Sequence, residues 1–184
     1  WFTLKDARLQ LLPLQENLPF AVASMVSPSG MTLAGKYETG VLSIGSMSTA
    51  GLQALPTQWQ FAEDSAKQHG NKVDRKNWRV LLNWHIAESR EQAIQEAKDG
   101  LLHWHNEYTV GTLMRPGAEA YETSEAAVEA GIAAGAAIIG TPDDLIKAIR
   151  EMQTLTGGFG TVIGFANDWA NRDAQLRSWD LVAR

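Results

Sequence analysis

The feature that most constrains the fold of this sequence is a regular alternation of short apolar runs with helical segments. Four runs are apolar without alternating in polarity, which indicates strands buried on both faces. Because such strands are typical of parallel sheets covered by helices, the sequence predicts an α/β fold. The predicted strands cover residues 20–25, 41–44, 78–87 and 161–165.

Two architectures fit this alternation: an open doubly wound sheet, or part of a TIM (βα)8 barrel. A complete eightfold barrel usually needs about 250 residues, whereas this chain has 184. About four strand–helix units therefore correspond to half of a barrel. A half barrel leaves two strand edges and an apolar inner face exposed, so we expect it to pair with a second half.

Residues that cap helices predict where the helices begin and end. We expect Pro56 to lie in the first turn of a helix that ends at Gly70. Ser89 and Gln92 match a capping box, in which each side chain bonds a free backbone N–H group. Thr141, followed by a proline and two aspartates, predicts the start of another helix.

One stretch before the last predicted strand does not follow the alternation. Residues from about 108 to 140 lack clear periodicity, apart from an alanine-rich helix predicted over 124–134. We interpret this stretch as an irregular and helical insertion in a single domain that spans residues 1–184.

Composition excludes several classes of site. The chain has no cysteine, which rules out disulfides, thiolate zinc sites and iron–sulfur clusters, and it suits a reducing cytoplasm. A net charge of -5 without a basic stripe argues against nucleic acid as a partner. No apolar run reaches the roughly 18 residues that a membrane span needs, and no secretory leader is visible. Because the sequence opens with Trp1, we expect it not to be a complete translation product.

The histidines do not predict a metal site. His103 and His105 lie two residues apart, so on a helix they point in different directions. His103 and Glu107 have suitable spacing, but the sequence offers no third ligand beside them. A solvated helix face is the better interpretation, and no metal is expected.

Three segments carry a resemblance to a known family. They are AVASMVSPSG over residues 21–30, GTPDDL over 140–145, and GGFGTV over 157–162 followed by NDW over 167–169. In this order they resemble the C-terminal half of the bacterial luciferase-like flavin-dependent monooxygenases, of the limonene 1,2-monooxygenase type. The resemblance spans essentially the whole chain.

The resemblance implies a barrel that uses reduced FMN, supplied by a separate flavin reductase, and dioxygen to oxygenate a small apolar substrate such as a terpene. It also implies that the first four strands lie outside this chain, together with the histidine that relatives keep in the active site, so no catalytic residue is assigned. The N-terminal half of the same barrel, or a second copy in a homo-oligomer, would complete the fold. Two alternatives stay open: a noncatalytic flavin-binding module and a deazaflavin-dependent oxidoreductase.

The resemblance assigns the flavin phosphate to the loop from Ser27 to Gly30, with Ser24 and Met25 near the ring system. The residues themselves are compatible with this role, because hydroxyls, a glycine and a helix start favour phosphate binding. A plain N-cap by Ser27 or Ser29, without a ligand, explains the same residues.

Two residues are candidates for a substrate pocket. His85 lies near the end of the third predicted strand, where it would contact flavin or substrate, or else be a hydrogen-bonded core histidine. Trp169 follows the last predicted strand and is a candidate pocket wall, whereas most of the seven tryptophans are expected to pack in the core.

Overall fold

Parallel strands alternate with helices along the computed structural model, which describes residues 2–8, 10–16 and 18–184. The strands are β1 (Ala21–Ser24), β2 (Gly40–Ser43), β3 (Trp78–Leu82), β4 (Trp84–Ile86), β5 (Ile138–Gly140) and β6 (Thr161–Gly164). The helices are α1 (Ser29–Tyr37), α2 (Thr49–His69), α3 (Arg90–His103), α4 (Ser124–Ala133), α5 (Pro142–Thr156) and α6 (Arg172–Ala183). A π-helical segment, Trp104–Thr112, continues α3.

Four of the strands form one parallel sheet in the order β1-β2-β3-β6. Among these four, each strand lies beside the one that comes before it in the chain, with β4 and β5 paired separately. This is the order of a (βα) barrel, and it does not reverse as it does in a doubly wound sheet. The central strands β2 and β3 are buried, whereas β1 and β6 at the edges are more exposed. The prediction of half a TIM barrel is confirmed.

The predicted continuous strand over 78–87 is interrupted in the structure at Asn83. Up to Leu82 the chain pairs with β2 and β6, and from Trp84 onward it pairs with β5. The backbone N–H of Ile138 donates to the carbonyl of Asn83 at 3.0 Å, which marks the change of partner. Strand β5 lies in the segment over 108–140, where periodicity predicted only one helix.

The predicted start of α2 at Pro56 is wrong. The helix begins at Thr49, where the Ser48 side chain accepts a hydrogen bond from the backbone of Gly51 at 3.2 Å. Pro56 lies inside the helix, and burial of its neighbour Leu55 offsets the cost of the missing N–H group.

The side chains predicted to cap α3 and α5 form different sets of hydrogen bonds. Ser89 accepts from the backbone N–H of Gln92 at 3.1 Å, but the Gln92 side chain bonds Glu96 instead of returning to Ser89. Half of that capping box is therefore present. At α5 the box is complete, because Thr141 bonds the backbone N–H of Asp144, and the Asp144 carboxylate accepts from the backbone N–H of Thr141 at 2.9 Å.

Tryptophans and one arginine stabilise the amino-terminal end of the sheet. The rings of Trp59 and Trp78 stack with their centroids 5.0 Å apart, and the Trp78 indole N–H donates to Ser43 Oγ at 2.9 Å. The guanidinium of Arg75 lies over both rings and donates to the carbonyl of Thr156 at 2.6 Å. These contacts connect α2, the sheet and the end of α5.

Helix α3 approaches the chain after β6 so closely that only glycine fits at one position. A Cβ on Gly100 would overlap the backbone of Trp169. The backbone after β6 therefore runs directly against α3, and the position of Trp169 depends on this contact.

None of the helices in the described part of the chain combines the length and the hydropathy of a membrane span.

Replacing Gly100 with alanine is expected to lower the free energy of unfolding by about 1–3 kcal/mol, because the added methyl group overlaps the Trp169 backbone. Gly131→Ala in α4 is the matched control, since its Cβ would meet other atoms only at 3.4 Å or beyond. The control should instead raise stability by about 0.5–1 kcal/mol through helix propensity. Urea unfolding measures both changes, and equal effects would contradict the close contact.

Asp144→Asn is expected to destabilise the fold in a pH-dependent way. The hydrogen bond from Arg90, followed by the bond from the Thr141 backbone, holds the pKa of Asp144 below its ordinary value of 3.8. The stabilisation by the ionised carboxylate is therefore present above that value and is lost as the pH falls through the lowered pKa.

The substitution should cost about 1 kcal/mol at pH 7, and the difference from the unaltered chain should shrink towards pH 3. Urea unfolding at several pH values measures it. Asp143→Asn, at an exposed position in the same helical turn, is the control and should cost about 0.3 kcal/mol. A loss that does not change with pH would contradict the argument.

Candidate functional site

The carboxyl ends of the four sheet strands lie together at one end of the sheet, because the strands are parallel and in register. In (βα) barrels the active site lies at the carboxyl ends of the strands. The chain continues there into the loop after β1, a short 3₁₀ turn after β2 (Gly45–Met47), Asn83 after β3, and the segment that leads to Trp169 after β6.

The loop after β1 leads into a helix start without a side-chain cap. Pro28 occupies the N-cap position of α1, and it has no side chain that accepts a hydrogen bond. The hydroxyls of Ser27 and Ser29 bond each other at 2.8 Å instead of the helix backbone. In the described part of the chain, the first N–H groups of α1 therefore have no side-chain acceptor, and the N-cap alternative does not apply.

A buried hydroxyl lies beside this helix start. Ser24 is 2% exposed, and its Oγ has no hydrogen-bond partner among the described residues. A Cβ on Gly30 would lie 3.0 Å from Ser24 Cβ and 2.6 Å from the carbonyl oxygen of Ala23. The glycine thus lets α1 begin directly against the end of β1. Unpaired donors at a helix N-terminus fit an oxygen-rich anion such as a phosphate.

Gln58 in α2 fixes the same loop, and sequence reasoning did not single it out. Its amide Nε2 donates to the carbonyl of Met25 and, at 3.3 Å, to that of Val26. Gln58 is buried, whereas the Met25 side chain is 44% exposed. A glutamine in the middle of a helix carries no sequence signal for this role, because the contact joins residues 33 apart in the chain.

The structure places His85 in a buried network between helices. Its ring is 3% exposed, and Nε2 lies 2.9 Å from Glu96 Oε2. The other carboxylate oxygen of Glu96 accepts from Gln92 at 2.9 Å and from Arg177 at 2.7 Å. One carboxylate thereby joins β4, α3 and α6.

Burial opposes the charge on Glu96, but hydrogen bonds favour it. The bonds from Gln92, His85 and Arg177 outweigh the desolvation, so the pKa of Glu96 lies below its ordinary value. The carboxylate therefore stays ionised at neutral pH and holds the His85 ring by its Nε2 atom.

Trp169 lines a cavity of about 620 Å³ between α3, α4 and the end of the sheet. Its indole is 3% exposed and packs edge to face against Trp104, with centroids 6.2 Å apart. The cavity also reaches the buried Asn83 and the start of α2 at Ser48. Small apolar side chains form much of its wall, among them Ala127, Ala130, Ala134, Ala136 and Ala137.

The sequence-predicted site residues therefore fall into separate places. Ser24, Ser27 and Gly30 lie together at the start of α1, and Trp169 lines the cavity. His85 is not among the residues that line this cavity. Apart from Trp169, the wall of this cavity was not predicted, because much of it comes from small side chains that carry no chemical signal.

Within residues 2–8, 10–16 and 18–184, no group of three or more histidine, aspartate or glutamate side chains is placed to hold a metal ion. His103 and Glu107 approach to 3.4 Å as an exposed pair on the helix surface.

Glu96→Gln is expected to lower the free energy of unfolding by about 1–3 kcal/mol, because the network loses charge-assisted bonds to Arg177 and His85. Glu107→Gln removes the carboxylate of the exposed pair with His103 and should change stability by less than about 0.5 kcal/mol. Urea unfolding compares the two variants. Equal losses would contradict the special position of Glu96.

The chain is similar in sequence to a known family and to proteins of known activity. The sequence profile of the family "Luciferase-like monooxygenase" matches residues 1–157. The chain is 44% identical to 4-hydroxyprotoasukamycin monooxygenase of Streptomyces nodosus subsp. asukaensis, over all of this chain and 50% of that protein. It is 38% identical to limonene 1,2-monooxygenase of Rhodococcus erythropolis, over all of this chain and 46% of that protein. The chain thus spans about half the length of the curated relatives it matches.

Solved structures share the fold at lower identity. The oxygenating constituent of 3,6-diketocamphane monooxygenase from a Pseudomonas putida plasmid, in complex with FMN, is 21% identical with a TM-score of 0.62. The match covers 89% of this chain and 48% of that one. An F420-dependent secondary alcohol dehydrogenase is 18% identical with a TM-score of 0.56, over 99% of this chain and 54% of that one.

The predicted resemblance, including its restriction to half of a relative, is confirmed. The half barrel and the family profile lead to one conclusion: the chain belongs to the luciferase-like monooxygenase family.

Proposed function

We propose that this chain is the C-terminal half of an FMN-dependent monooxygenase that uses reduced flavin and dioxygen to oxygenate a small, largely apolar organic substrate. The observation that carries the proposal lies at the carboxyl ends of the sheet strands. There, within the described residues, α1 starts without a side-chain cap beside the buried hydroxyl of Ser24, which has no hydrogen-bond partner. Membership of the luciferase-like family supports the same chemistry.

The loop after β1 would hold the phosphate of the flavin. The free N–H groups at the start of α1 and the hydroxyl of Ser27 are donors for phosphate oxygens. Ser24 and the half-exposed Met25 lie on the strand side of the loop, where they would contact the flavin beyond the phosphate. When bound, the flavin would supply the reaction with dioxygen, and this chain would position it and exclude water.

The cavity beside Trp169 would receive the substrate. Its volume of about 620 Å³ lies within the usual range for small-molecule sites. The Trp169 and Trp104 rings and the alanines form an apolar wall, which suits a terpene or a similar organic molecule. His85 does not line this cavity, and its hydrogen bond with Glu96 supports the role of a hydrogen-bonded core histidine.

A second half barrel would complete the site. The edge strands β1 and β6 each lack a partner on one side in the described part of the chain. We propose that the N-terminal half of the same barrel pairs with these edges, and pairing with a second copy is the alternative outcome. A separate flavin reductase and a cytoplasmic location stay predictions.

Ser27→Asp tests the phosphate site. A carboxylate at the start of a helix favours the fold, so the variant is expected to remain stable. The same charge would repel the phosphate, and we expect FMN to bind at least tenfold more weakly while riboflavin, which lacks the phosphate, binds unchanged. The measurement is flavin fluorescence titration of the native polypeptide that carries this chain.

Ser89→Asp, at the N-cap of α3, is the matched control and should leave FMN affinity unchanged. Equal loss of FMN and riboflavin binding in Ser27→Asp would contradict the phosphate site. The absorbance of the cofactor that co-purifies separates FMN from a deazaflavin, and a deazaflavin spectrum would overturn the oxygenase proposal. Flavin binding without oxygen consumption in the presence of a reductase and substrates would favour the noncatalytic module.

A further inference from the structure

Among the residues that the structure describes, Arg115 is the arginine that lines the cavity beside Trp169, whose wall is apolar over much of its area. The Arg115 guanidinium makes no hydrogen bond or ion pair with any residue that the structure describes. A guanidinium group can donate two parallel hydrogen bonds to a carboxylate or a phosphate, so its position beside the cavity suits such a group.

Hydrogen bonds connect the segment that contains Arg115 to the preceding π-helical segment. We call residues 113–123 the strap. Asn106 bonds the backbone of Tyr121 twice, through its Nδ2 to the carbonyl and through its Oδ1 to the N–H, both at 2.9 Å. His105 Nε2 lies 3.0 Å from the carbonyl oxygen of Glu119. The C-terminal part of the strap is therefore bonded to the π-helical segment, beside the cavity.

A second donor lies near Arg115. The backbone N–H of Arg115 donates to the carbonyl of Thr109 at 3.3 Å, so the two residues are neighbours. Thr109 also lines the cavity, is 7% exposed, and its hydroxyl has no hydrogen-bond partner among the described residues. A buried hydroxyl without a partner is costly unless a ligand or water satisfies it.

The charged or ionisable side chains that line the cavity near Arg115 do not neutralise its charge. Glu119 lines the same cavity, but its side chain is exposed and forms no ion pair with Arg115 in the described part of the chain. His105 is turned to the backbone of Glu119. Helix α4 contributes Ala127 and Ala130 to the cavity wall, and Ala134 follows at the C-cap of the helix.

We infer that Arg115 and Thr109 bind an anionic oxygen group, a carboxylate or a phosphate, of the molecule whose apolar body lies against the alanine face of α4. The inference rests on the proposed function and deepens it, because it defines the substrate class as an apolar skeleton with one acidic end. A hydrocarbon without such an end would leave the guanidinium unpaired.

The experiment compares two ligands that share a ring skeleton, perillate with its carboxylate and perillyl alcohol with a neutral hydroxyl. Calorimetric titration of the native polypeptide gives both affinities. We expect Arg115→Gln to weaken perillate binding at least tenfold and to change perillyl alcohol binding less than twofold. Arg150→Gln, an exposed arginine of α5, is the matched control and should change neither.

A second pair of variants tests the apolar wall. Ala130→Leu fills part of the cavity and should weaken both ligands, whereas Ala133→Leu on the exposed side of α4 should not. Inorganic phosphate and FMN distinguish the source of the anionic group. Weaker FMN binding in Arg115→Gln, with unchanged perillate binding, would overturn the substrate assignment in favour of the flavin phosphate.

Equal effects of Arg115→Gln and Arg150→Gln would overturn the inference entirely. Its failure is distinguishable from failure of the proposed function, because flavin binding and oxygen consumption are measured separately. If the Arg115→Gln polypeptide still binds FMN and oxygenates a neutral terpene, the proposed function holds. The inference that the substrate has an acidic group is then wrong.

Discussion

The buried amide of Asn83 is the point on which the arrangement of the site depends. The side-chain Nδ2 donates to the carbonyl of Ala136 at 3.3 Å, and Oδ1 accepts from Asn167 at 3.4 Å, while the backbone carbonyl of Asn83 accepts from the N–H of Ile138. Two segments far apart in sequence, around residues 136–138 and 167, thus meet at this one residue. The chain changes partner here from β6 to β5, and the cavity beside Trp169 begins where that change occurs.

The two ends of the sheet differ in how well their polar groups are satisfied. At the amino end, Arg75 and the stacked tryptophans use their hydrogen bonds within the protein. At the carboxyl end, the hydroxyls of Ser24 and Thr109 and the indole N–H of Trp169 have no hydrogen-bond partner among the described residues, and the first N–H groups of α1 have no side-chain acceptor. At the amino end, the buried hydroxyl of Thr39 is likewise without a partner among these residues. Unsatisfied donors cost stability, so their concentration at one end indicates where ligands bind. This is the distribution expected of a barrel whose amino end supports the fold and whose carboxyl end carries the chemistry.

Sequence reasoning succeeded where the signal is local. The helix start at Thr141, the helix after Ser89 and the four sheet strands follow from residue types and spacing, because each depends on neighbours within a few positions. It was wrong at Pro56, where burial of Leu55 and a cap at Ser48 extend the helix upstream. It was wrong again for the strand through Asn83, since pairing with β5 depends on a segment more than fifty residues away. The roles of Gln58 and Glu96 were not visible for the same reason.

The sequence by itself determined the class of fold, the family and the loop at the start of α1. Apolar periodicity and the run over residues 21–30 can be recognised in the sequence alone. The periodicity reflects which faces of the strands and helices are buried, and the run reflects how one loop is built. Only the tertiary structure decided that the Ser27 hydroxyl does not cap its helix, that His85 is held by Glu96, and that an arginine and a row of alanines border one cavity. These facts depend on distances between residues remote in the chain, and no local pattern encodes them.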